Sequence, residues 1–288
     1  MTSRVRIAVQ KNGRLSEESL TLLKKCGVSF SHSADKLFIR SSNMMIDLLM
    51  VRDDDIPNLV NQNIADLGIV GENVLKEKQL ANKNIIVKKE ADLGFSKCRL
   101  AFAKPKEMSD SDLNNKKIAT SYPAIVENYL KKENIIAEII EIHGSVELTP
   151  FVGIADIVCD LVSTGITLES NNLEESVTIL NSQALLIKSS EVDESKNMLI
   201  KKLISRLTSA IEASDSKYIM FNADTKDIES LINLLPAADS PTVIPLADKN
   251  KVAIHSVCKE DIFWETIESL KLQGASSILV LPIEKLAY

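Results

Sequence analysis

Three times in this chain a run of aliphatic and β-branched residues ends on a small or glycine-containing turn and passes at once into a helix start. Residues 4–9 lead into Gln10-Lys11-Asn12-Gly13-Arg14. Ser16, followed by Glu18, then suits an N-cap over the apolar stripe Leu20, Leu22 and Leu23. Residues 66–71 (D-L-G-I-V-G) lead into Glu72-Asn73-Val74-Leu75, and residues 157–162 lead into Ser163-Thr164-Gly165-Ile166-Thr167. Strand, turn and helix in repetition predict a mostly parallel α/β sheet, which binds ligands at the carboxyl ends of its strands.

The third of these units, within residues 153–173, carries the strongest chemical signal. A buried-type strand ending in hydroxylated residues and one glycine offers backbone N–H groups and hydroxyls to a single anion. Asp156 and Asp160 stand just before it. Carboxylates beside a phosphate cradle suit a ligand that also carries a diol or brings a divalent metal, so the stretch reads as a sugar-phosphate site. An ordinary strand followed by a Ser/Thr-rich turn has the same pattern.

Charge narrows the ligand. The 288-residue chain has a net charge of −6, which does not favour nucleic acid as a partner. Yet the first 25 residues hold Arg4, Arg6, Lys11, Arg14, Lys24 and Lys25 against Glu17 and Glu18, a local cation excess suited to a confined anion. Lys11 and Arg14, at a strand-to-helix turn, can hold phosphates or form a solvated basic turn. Cys26, Cys98, Cys159 and Cys258 are too dispersed for a zinc site or disulfide framework and read as buried thiols. His32, His143 and His255 lack metal-ligand spacing; His143, within E-I-H-G-S-V-E, could touch a ligand, but a structural role is expected. No apolar run approaches the roughly 20 residues that span a bilayer, and the first residues lack the apolar core of a signal peptide, so no membrane association and a cytoplasmic location are expected.

The remaining chain extends the α/β pattern. Residues 37–39 and 46–51 read as strands, the second followed by Arg52. Asp53-Asp54-Asp55 before Ile56-Pro57 mark a helix start, the acids serving as caps. From about Lys97 a second α/β block runs to Asn181, with a helix opened by Ser121-Tyr122-Pro123 and a short one by Gly144-Ser145-Val146-Glu147. Residues 184–188 return to the first lobe, and residues 194–213 form a helix with Leu199, Ile200, Leu203, Ile204, Leu207 and Ile211 at helical spacing. The last stretch reads βαββαβ, the ferredoxin-like order, with Trp264 packed on its second helix. Such an appended α+β unit suggests regulation or assembly.

Taken together, D-I-V-C-D-L-V-S-T-G-I-T-L, V-Q-K-N-G-R-L, V-R-D-D-D-I-P, D-L-G-I-V-G-E-N-V-L, A-T-S-Y-P, H-G-S-V-E and G-A-S-S-I-L-V-L-P-I-E-K resemble the ATP phosphoribosyltransferases of histidine biosynthesis over nearly the whole chain. The C-terminal unit resembles that of the long form, which carries its own regulatory domain. The resemblance implies a two-lobed, periplasmic-binding-protein-like catalytic core. Lobe 1 is expected over residues 1–96 and 182–213, lobe 2 over 97–181, and a ferredoxin-like, histidine-binding regulatory domain over 214–288. It implies that ATP and phosphoribosyl pyrophosphate are condensed to N1-(5-phosphoribosyl)-ATP and pyrophosphate, with Mg²⁺ as cofactor, histidine as feedback inhibitor, and homo-oligomers that shift between dimer and hexamer.

By motif match, Ser163, Thr164, Gly165, Ile166, Thr167 and Leu168 are expected to cradle the 5-phosphate and Asp160 to meet the ribose hydroxyls. Asp156 is a weaker candidate, and Glu147 could reach the ribose or the metal, whose ligands the sequence leaves unknown. Gln10, Lys11, Arg14 and Arg52 are candidates for the polyphosphates, the three cations being the expected catalytic groups. Gly71 would permit close backbone approach, and Tyr122 would contact a substrate or pack. Asn222, Asp224, Thr242, Ala275 and Ser276 are candidates for the histidine site. A solute-binding module or a catalytically silent regulatory subunit would share the lobes; the cation set and the S-T-G-I-T loop favour the enzyme.

Overall fold

The computed structural model describes residues 4–30, 36–108, 112–235, 240–259 and 263–286. His32 lies outside them. The chain divides into two compact units, Met1–Ile204 and Ser205–Tyr288.

The first unit is built on two sheets. The first sheet contains β1 (Val5–Gln10), β2 (Phe38–Arg40), β3 (Ile46–Val51), β4 (Leu67–Gly71), β5 (Lys88–Asp92) and, from much later in the chain, β11 (Ala184–Lys188). Their order is β2-β3-β1-β4-β11-β5. β1 is parallel to β3 and β4, while β11 runs antiparallel to β4 and β5. Helix α1 (Arg14–Lys25) follows β1, α2 (Ile56–Asn61) follows β3 through a single 3-10 turn over Asp53–Asp55, and α3 (Glu72–Ala81) follows β4. Ala8, Val70, Leu185 and Ile187 of the sheet bury against Ile56 and Val60 of α2 and Val74 and Leu75 of α3. Gly68 is required there for space. A Cβ on it would meet Ile56 Cγ2 at 2.7 Å and Val60 Cγ2 at 2.9 Å.

The second sheet forms the other lobe. It holds β6 (Cys98–Pro105), β7 (Lys117–Thr120), β8 (Glu138–Glu141), β9 (Ile157–Val162) and β10 (Leu173–Ser182) in the order β10-β6-β9-β7-β8. Helix α4 (Pro123–Glu133) covers one face through Ile125, Val126 and Leu130, packed with Leu100, Phe102, Ile118 and Ile157. Short helix α5 (Ile166–Ser170) contributes Leu168 to the other face, beside Ala101, Ala119 and Val158. The chain passes between lobes at two points that lie side by side, because Cys98 and Ser182 are register partners. An α/β lobe interrupted by a second one and closed by a returning strand is the two-lobed core expected from the motifs.

Helix α6 (Glu194–Ser214) starts on lobe 1. Lys196 Nζ reaches both carboxylate oxygens of Asp66 at 2.8 and 3.0 Å, and the Arg6 N–H donates to the same carboxylate at 2.8 Å. The boundary between the two units falls within α6.

The second unit contains β12 (Ser216–Asp224), α7 (Ile228–Leu234), β13 (Thr242–Pro245), β14 (Lys251–Lys259), α8 (Phe263–Leu272) and β15 (Ser276–Pro282). The strand order β13-β14-β12-β15, antiparallel throughout, is the ferredoxin-like arrangement. Ile219, Phe221, Ile254, Leu231 and Leu270 form its core.

Several local expectations are corrected. Ser16 is not the N-cap of α1: Gly13 occupies that position at φ 91°, and buried Ser16 donates to the Lys11 carbonyl from inside the first turn. Trp264 is 75% exposed rather than packed. Strand β5, K-K-E-A-D, has no apolar alternation and went unanticipated.

Candidate functional site

The carboxyl ends of the parallel strands of lobe 1 gather the first set of residues. Gln10 ends β1 and is the register partner of Val51, which ends β3, and Lys11 N–H donates to the Val51 carbonyl at 2.8 Å. Lys11, Arg14 and Arg52 are therefore neighbours on one edge, all exposed, with Gly71 ending the next strand. Among the described residues Arg14, itself exposed, makes an ion pair with Glu18 at 3.3 Å, so its guanidinium can be recruited by a stronger anion at small cost.

A cleft of about 340 Å³ joins this edge to lobe 2. Gln10, Gly13, Arg14, Gly71 and Asn73 line it from lobe 1, and Cys98, Tyr122, Leu161 and Ser163 from lobe 2. The loop that follows β9 reaches this cleft at its first residue, Ser163. Gly165 adopts φ 84°, a left-handed conformation that glycine reaches without strain, and the Glu169 N–H closes the first helical bond onto the Gly165 carbonyl. The amides ahead of it precede the helical ladder. Ser163, Thr164, Ile166 and Thr167 are exposed, while Leu168 anchors the loop in the core. Arg99 holds the loop's start: it grips Glu175 through two nitrogens and donates to the Ser163 carbonyl at 3.3 Å.

Asp160 lies one turn of strand before that loop, and its carboxylate accepts only the neighbouring Leu161 N–H among the described hydrogen bonds. Burial pushes its carboxyl above the usual range, and the charge of Glu147 adds to the shift. Asp156 is removed from the set. It precedes β9, at the end away from the loop, and its carboxylate accepts the Lys117 N–H at 2.8 Å, a purely structural use.

Tyr122 is more deeply involved than the sequence indicated. Its hydroxyl accepts from Asn73 Nδ2 at 2.9 Å, and burial holds the phenol well above its ordinary range, so it stays neutral. Tyr122, Val74 and Asp53 line both the small cleft and a larger one of about 810 Å³ behind it. Glu77, Glu127, Glu141, Asp53 and Asp54 line the larger cleft against Lys78 and His143. Its excess of carboxylates has the wrong sign for a polyphosphate, so the smaller, cation-edged cleft is the better substrate site. His143, expected to be structural, stands on the rim of the larger cleft with its side chain 82% exposed.

Residues that sequence reasoning missed are Asn73, Glu77, Arg99 and Ser182. Asn73 and Glu77 did carry a signal, their four-residue spacing at a helix start.

In the second unit, Asn222, Asp224, Ala275 and Ser276 cluster at one end of the sheet: Asn222 pairs with Ser276, and Asp224 ends β12. Thr242 is not brought to them. It pairs with His255, whose Nδ1 shares a hydrogen bond with the Tyr218 hydroxyl.

A family model described as ATP phosphoribosyltransferase matches residues 52–209, and one for the HisG C-terminal domain matches residues 213–285. Among solved structures, the ATP phosphoribosyl transferase (HisG:HisZ) complex from Thermotoga maritima is similar at 29% identity and a TM-score of 0.63, over 72% of this chain and 98% of that one. An arginine-bound, truncated ArgBP from T. maritima is similar at 13% identity and a TM-score of 0.44, over 72% and 95%. A probable amino-acid transporter binding protein from Bacillus subtilis is similar at 12% and 0.46, over 74% and 94%.

The family matches and the two-lobed fold define the chain as a pentosyltransferase. It belongs to the ATP phosphoribosyltransferase family, enzymes of histidine biosynthesis. No helix among the described residues is long and apolar enough to cross a membrane.

Proposed function

We propose that the chain condenses ATP with phosphoribosyl pyrophosphate, adenine N1 displacing pyrophosphate at C1 of the ribose to give N1-(5-phosphoribosyl)-ATP. The observation that carries this reading is the cleft itself. Arg14 lines it after a strand end of lobe 1 and Ser163 at the start of the hydroxyl- and amide-rich loop of lobe 2, with Lys11 and Arg52 on the same lobe 1 edge as Arg14. In this reading Ser163, Thr164, Gly165, Ile166, Thr167 and Leu168 hold the 5-phosphate, Leu168 through its backbone, and Asp160 accepts from the ribose hydroxyls. Gln10, Lys11, Arg14 and Arg52 hold the polyphosphates.

The chemistry demands little more. The reaction centre is oxocarbenium-like, so catalysis consists of neutralising the leaving pyrophosphate and aligning the nucleophile. Adenine N1 attacks through a lone pair and loses no proton, so no general base is required. Lys11, Arg14 and Arg52 stabilise charge as it develops on the leaving group. Tyr122, neutral and held by Asn73, offers a fixed hydroxyl and ring at the cleft wall.

Mg²⁺ fits the donor set. It is usually held through substrate phosphates with one or two carboxylates. Asp160 and Glu147 are the candidate carboxylates, the charge of Glu147 adding to the raised pKa of Asp160; no group of three or more possible ligands forms among the described residues, so the substrate phosphates would complete the coordination. When bound, the ion would supply further neutralisation of the diphosphate.

We assign histidine feedback to residues 214–288, with Asn222, Asp224, Ala275 and Ser276 as the contact set and Thr242 as an outlying member. A cytoplasmic homo-oligomer, dimer and hexamer, completes the reading. Pyrophosphate release from ATP and phosphoribosyl pyrophosphate, dependent on Mg²⁺ and abolished by a chelator, is the expected result. A pure protein that releases none, alone or with candidate partner subunits, would remove the enzyme reading in favour of a binding module.

A further inference from the structure

The two lobes are joined by more than their crossing strands, and the joint is built on one face of α3. Asn73 and Glu77 lie four residues apart, hence one above the other on that helix. Asn73 is buried, and both ends of its amide are committed. Its Nδ2 donates to the Tyr122 hydroxyl at 2.9 Å, and its Oδ1 accepts from Ser182 Oγ at 2.8 Å. Its backbone N–H donates back to Ser182 Oγ at 3.0 Å. Glu77 accepts the N–H groups of Ala124 and Ile125 at 2.8 and 2.9 Å, one on each carboxylate oxygen. Those amides belong to the first turn of α4, the element that begins immediately after Tyr122. α3 belongs to lobe 1 and α4 to lobe 2, and Ser182 ends the strand that leads back to lobe 1.

We infer that Asn73 and Glu77 are positioning residues, a two-point clamp by which α3 fixes lobe 2 against lobe 1 and sets the pose of Tyr122 at the cleft.

Three features support a role in the site rather than in packing alone. First, the partners of Glu77 are backbone amides at the positive end of an eleven-residue helix. Burial pushes the Glu77 carboxyl above the usual range, and the charge-assisted hydrogen bonds from the two amides, with the helix dipole, offset part of that cost. Second, Gly71 keeps the room that Asn73 needs. A Cβ on Gly71 would collide with Asn73 Oδ1, an atom that Ser182 already holds. Gly71 has ordinary extended backbone, φ −67°, so its small size serves this approach and not an unusual conformation. Third, the clamp sits between the two clefts. Glu77 lines the larger and Asn73 the smaller, with Tyr122 lining both.

The consequence rests on the substrate reading above: phosphoribosyl pyrophosphate touches both lobes, whereas ribose 5-phosphate needs only the lobe 2 loop and Asp160. A chain whose lobes are less often correctly apposed binds a spanning ligand more weakly by the fraction lost, and leaves the affinity of a one-lobe ligand unchanged.

The test uses the full chain with Glu77→Gln, which preserves shape but presents an N–H₂ group to one of the two amides, and Ser182→Ala, which removes the hydroxyl that holds Asn73 Oδ1 and lines neither cleft. Hydrogen exchange at Ala124 and Ile125 is read without ligand. Affinities for phosphoribosyl pyrophosphate and ribose 5-phosphate are read with far-UV circular dichroism as the folding control. Faster exchange at the two amides in Glu77→Gln is expected. With it, phosphoribosyl pyrophosphate should weaken on the order of tenfold in both variants while ribose 5-phosphate stays within about twofold. Unchanged exchange in Glu77→Gln overturns the clamp. Faster exchange with both ligands shifted equally, or neither shifted, overturns the positioning role. A wild-type chain that binds neither ligand overturns the substrate reading and the positioning role with it, a result distinct from a wild type that binds both while the variants show no split.

Discussion

Replacing Lys196 by Met isolates the contact that fastens α6 to lobe 1. The Asp66 carboxylate accepts three hydrogen bonds from two donors: Lys196 Nζ on each oxygen, at 2.8 and 3.0 Å, and the Arg6 N–H at 2.8 Å. The side chains of the pair are only 10% and 8% exposed. Lys196→Met keeps most of the aliphatic volume but leaves a buried carboxylate with one backbone donor. Loss of one partner from a buried pair costs about 3–5 kcal/mol, because the remaining charge is uncompensated. Asp66→Asn keeps one acceptor oxygen but leaves the buried Lys196 ammonium uncompensated, so it too should be destabilising. The double variant, with no charge left to bury, should recover most of the loss, giving a coupling of about 2 kcal/mol or more in a double-mutant cycle. Denaturant unfolding followed by a lobe 1 probe measures each term. Asp66 precedes β4, at the end of the sheet away from the cleft, so turnover at temperatures below the transition should be unchanged. A loss under about 1 kcal/mol in Lys196→Met, or a double variant no more stable than the worse single one, would refute the reasoning.

Other expectations concern the site and the core. Asp160→Ala should lower kcat/KM for phosphoribosyl pyrophosphate by about 2–4 kcal/mol in transition-state terms; unchanged kinetics would mean that the ribose contact is misassigned. Because burial and then Glu147 raise the Asp160 pKa, the residue becomes protonated at a higher pH than an ordinary carboxylate. Activity that needs its ionised form should therefore be lost early as pH falls, and Glu147→Gln should move that acid limb to lower pH in a pH–rate profile. The same raised pKa means that Asp160 opposes folding increasingly as pH rises from its unfolded-state pKa to the higher folded-state one and by a constant amount above that, so Asp160→Asn should gain stability fully above the folded-state value and little below the unfolded-state one, measured by thermal unfolding. Gly68→Ala should destabilise lobe 1 by about 1–3 kcal/mol, since the added methyl meets Ile56 and Val60 closer than 3.0 Å; calorimetry showing a neutral or stabilised variant would contradict the packing argument.

How much of this was legible in the sequence depended on range. Strands with β-branched runs and glycine stops, such as β4 and β9, could be read because their signal is local. β5 could not, since it is a polar strand at the sheet's edge and pairs only with β11. The ferredoxin-like order was readable from element sequence alone, while exposure of Trp264 was not, because helix periodicity does not say which face a neighbour covers. In the site, the loop after β9 and the turn after β1 announced themselves by composition. Ser163 and Arg14 meet only through folding of two separate lobes. The hydrogen bond from Ser182 to Asn73 joins residues 109 apart in the chain, and no short-range pattern encodes it. Asp156 and Asp160 look equivalent in D-I-V-C-D, and only the direction of β9 separates the one near the loop end of the strand from the one spent on Lys117.

The interruption of lobe 1 by lobe 2 also orders events as the chain leaves the ribosome. β4 is complete at Gly71, but the strand that covers its free side, β11, begins at Ala184. At typical elongation rates of roughly 5–20 residues per second, the central edge of the first sheet stays open on the order of ten seconds, while the strands of the intervening sheet are made. An open, apolar edge of Leu67, Ile69 and Val70 is a template for pairing with another chain. The nascent protein is therefore most vulnerable to aggregation in the interval between two strands that end up adjacent, and slowing translation across residues 98–182 should lengthen that interval.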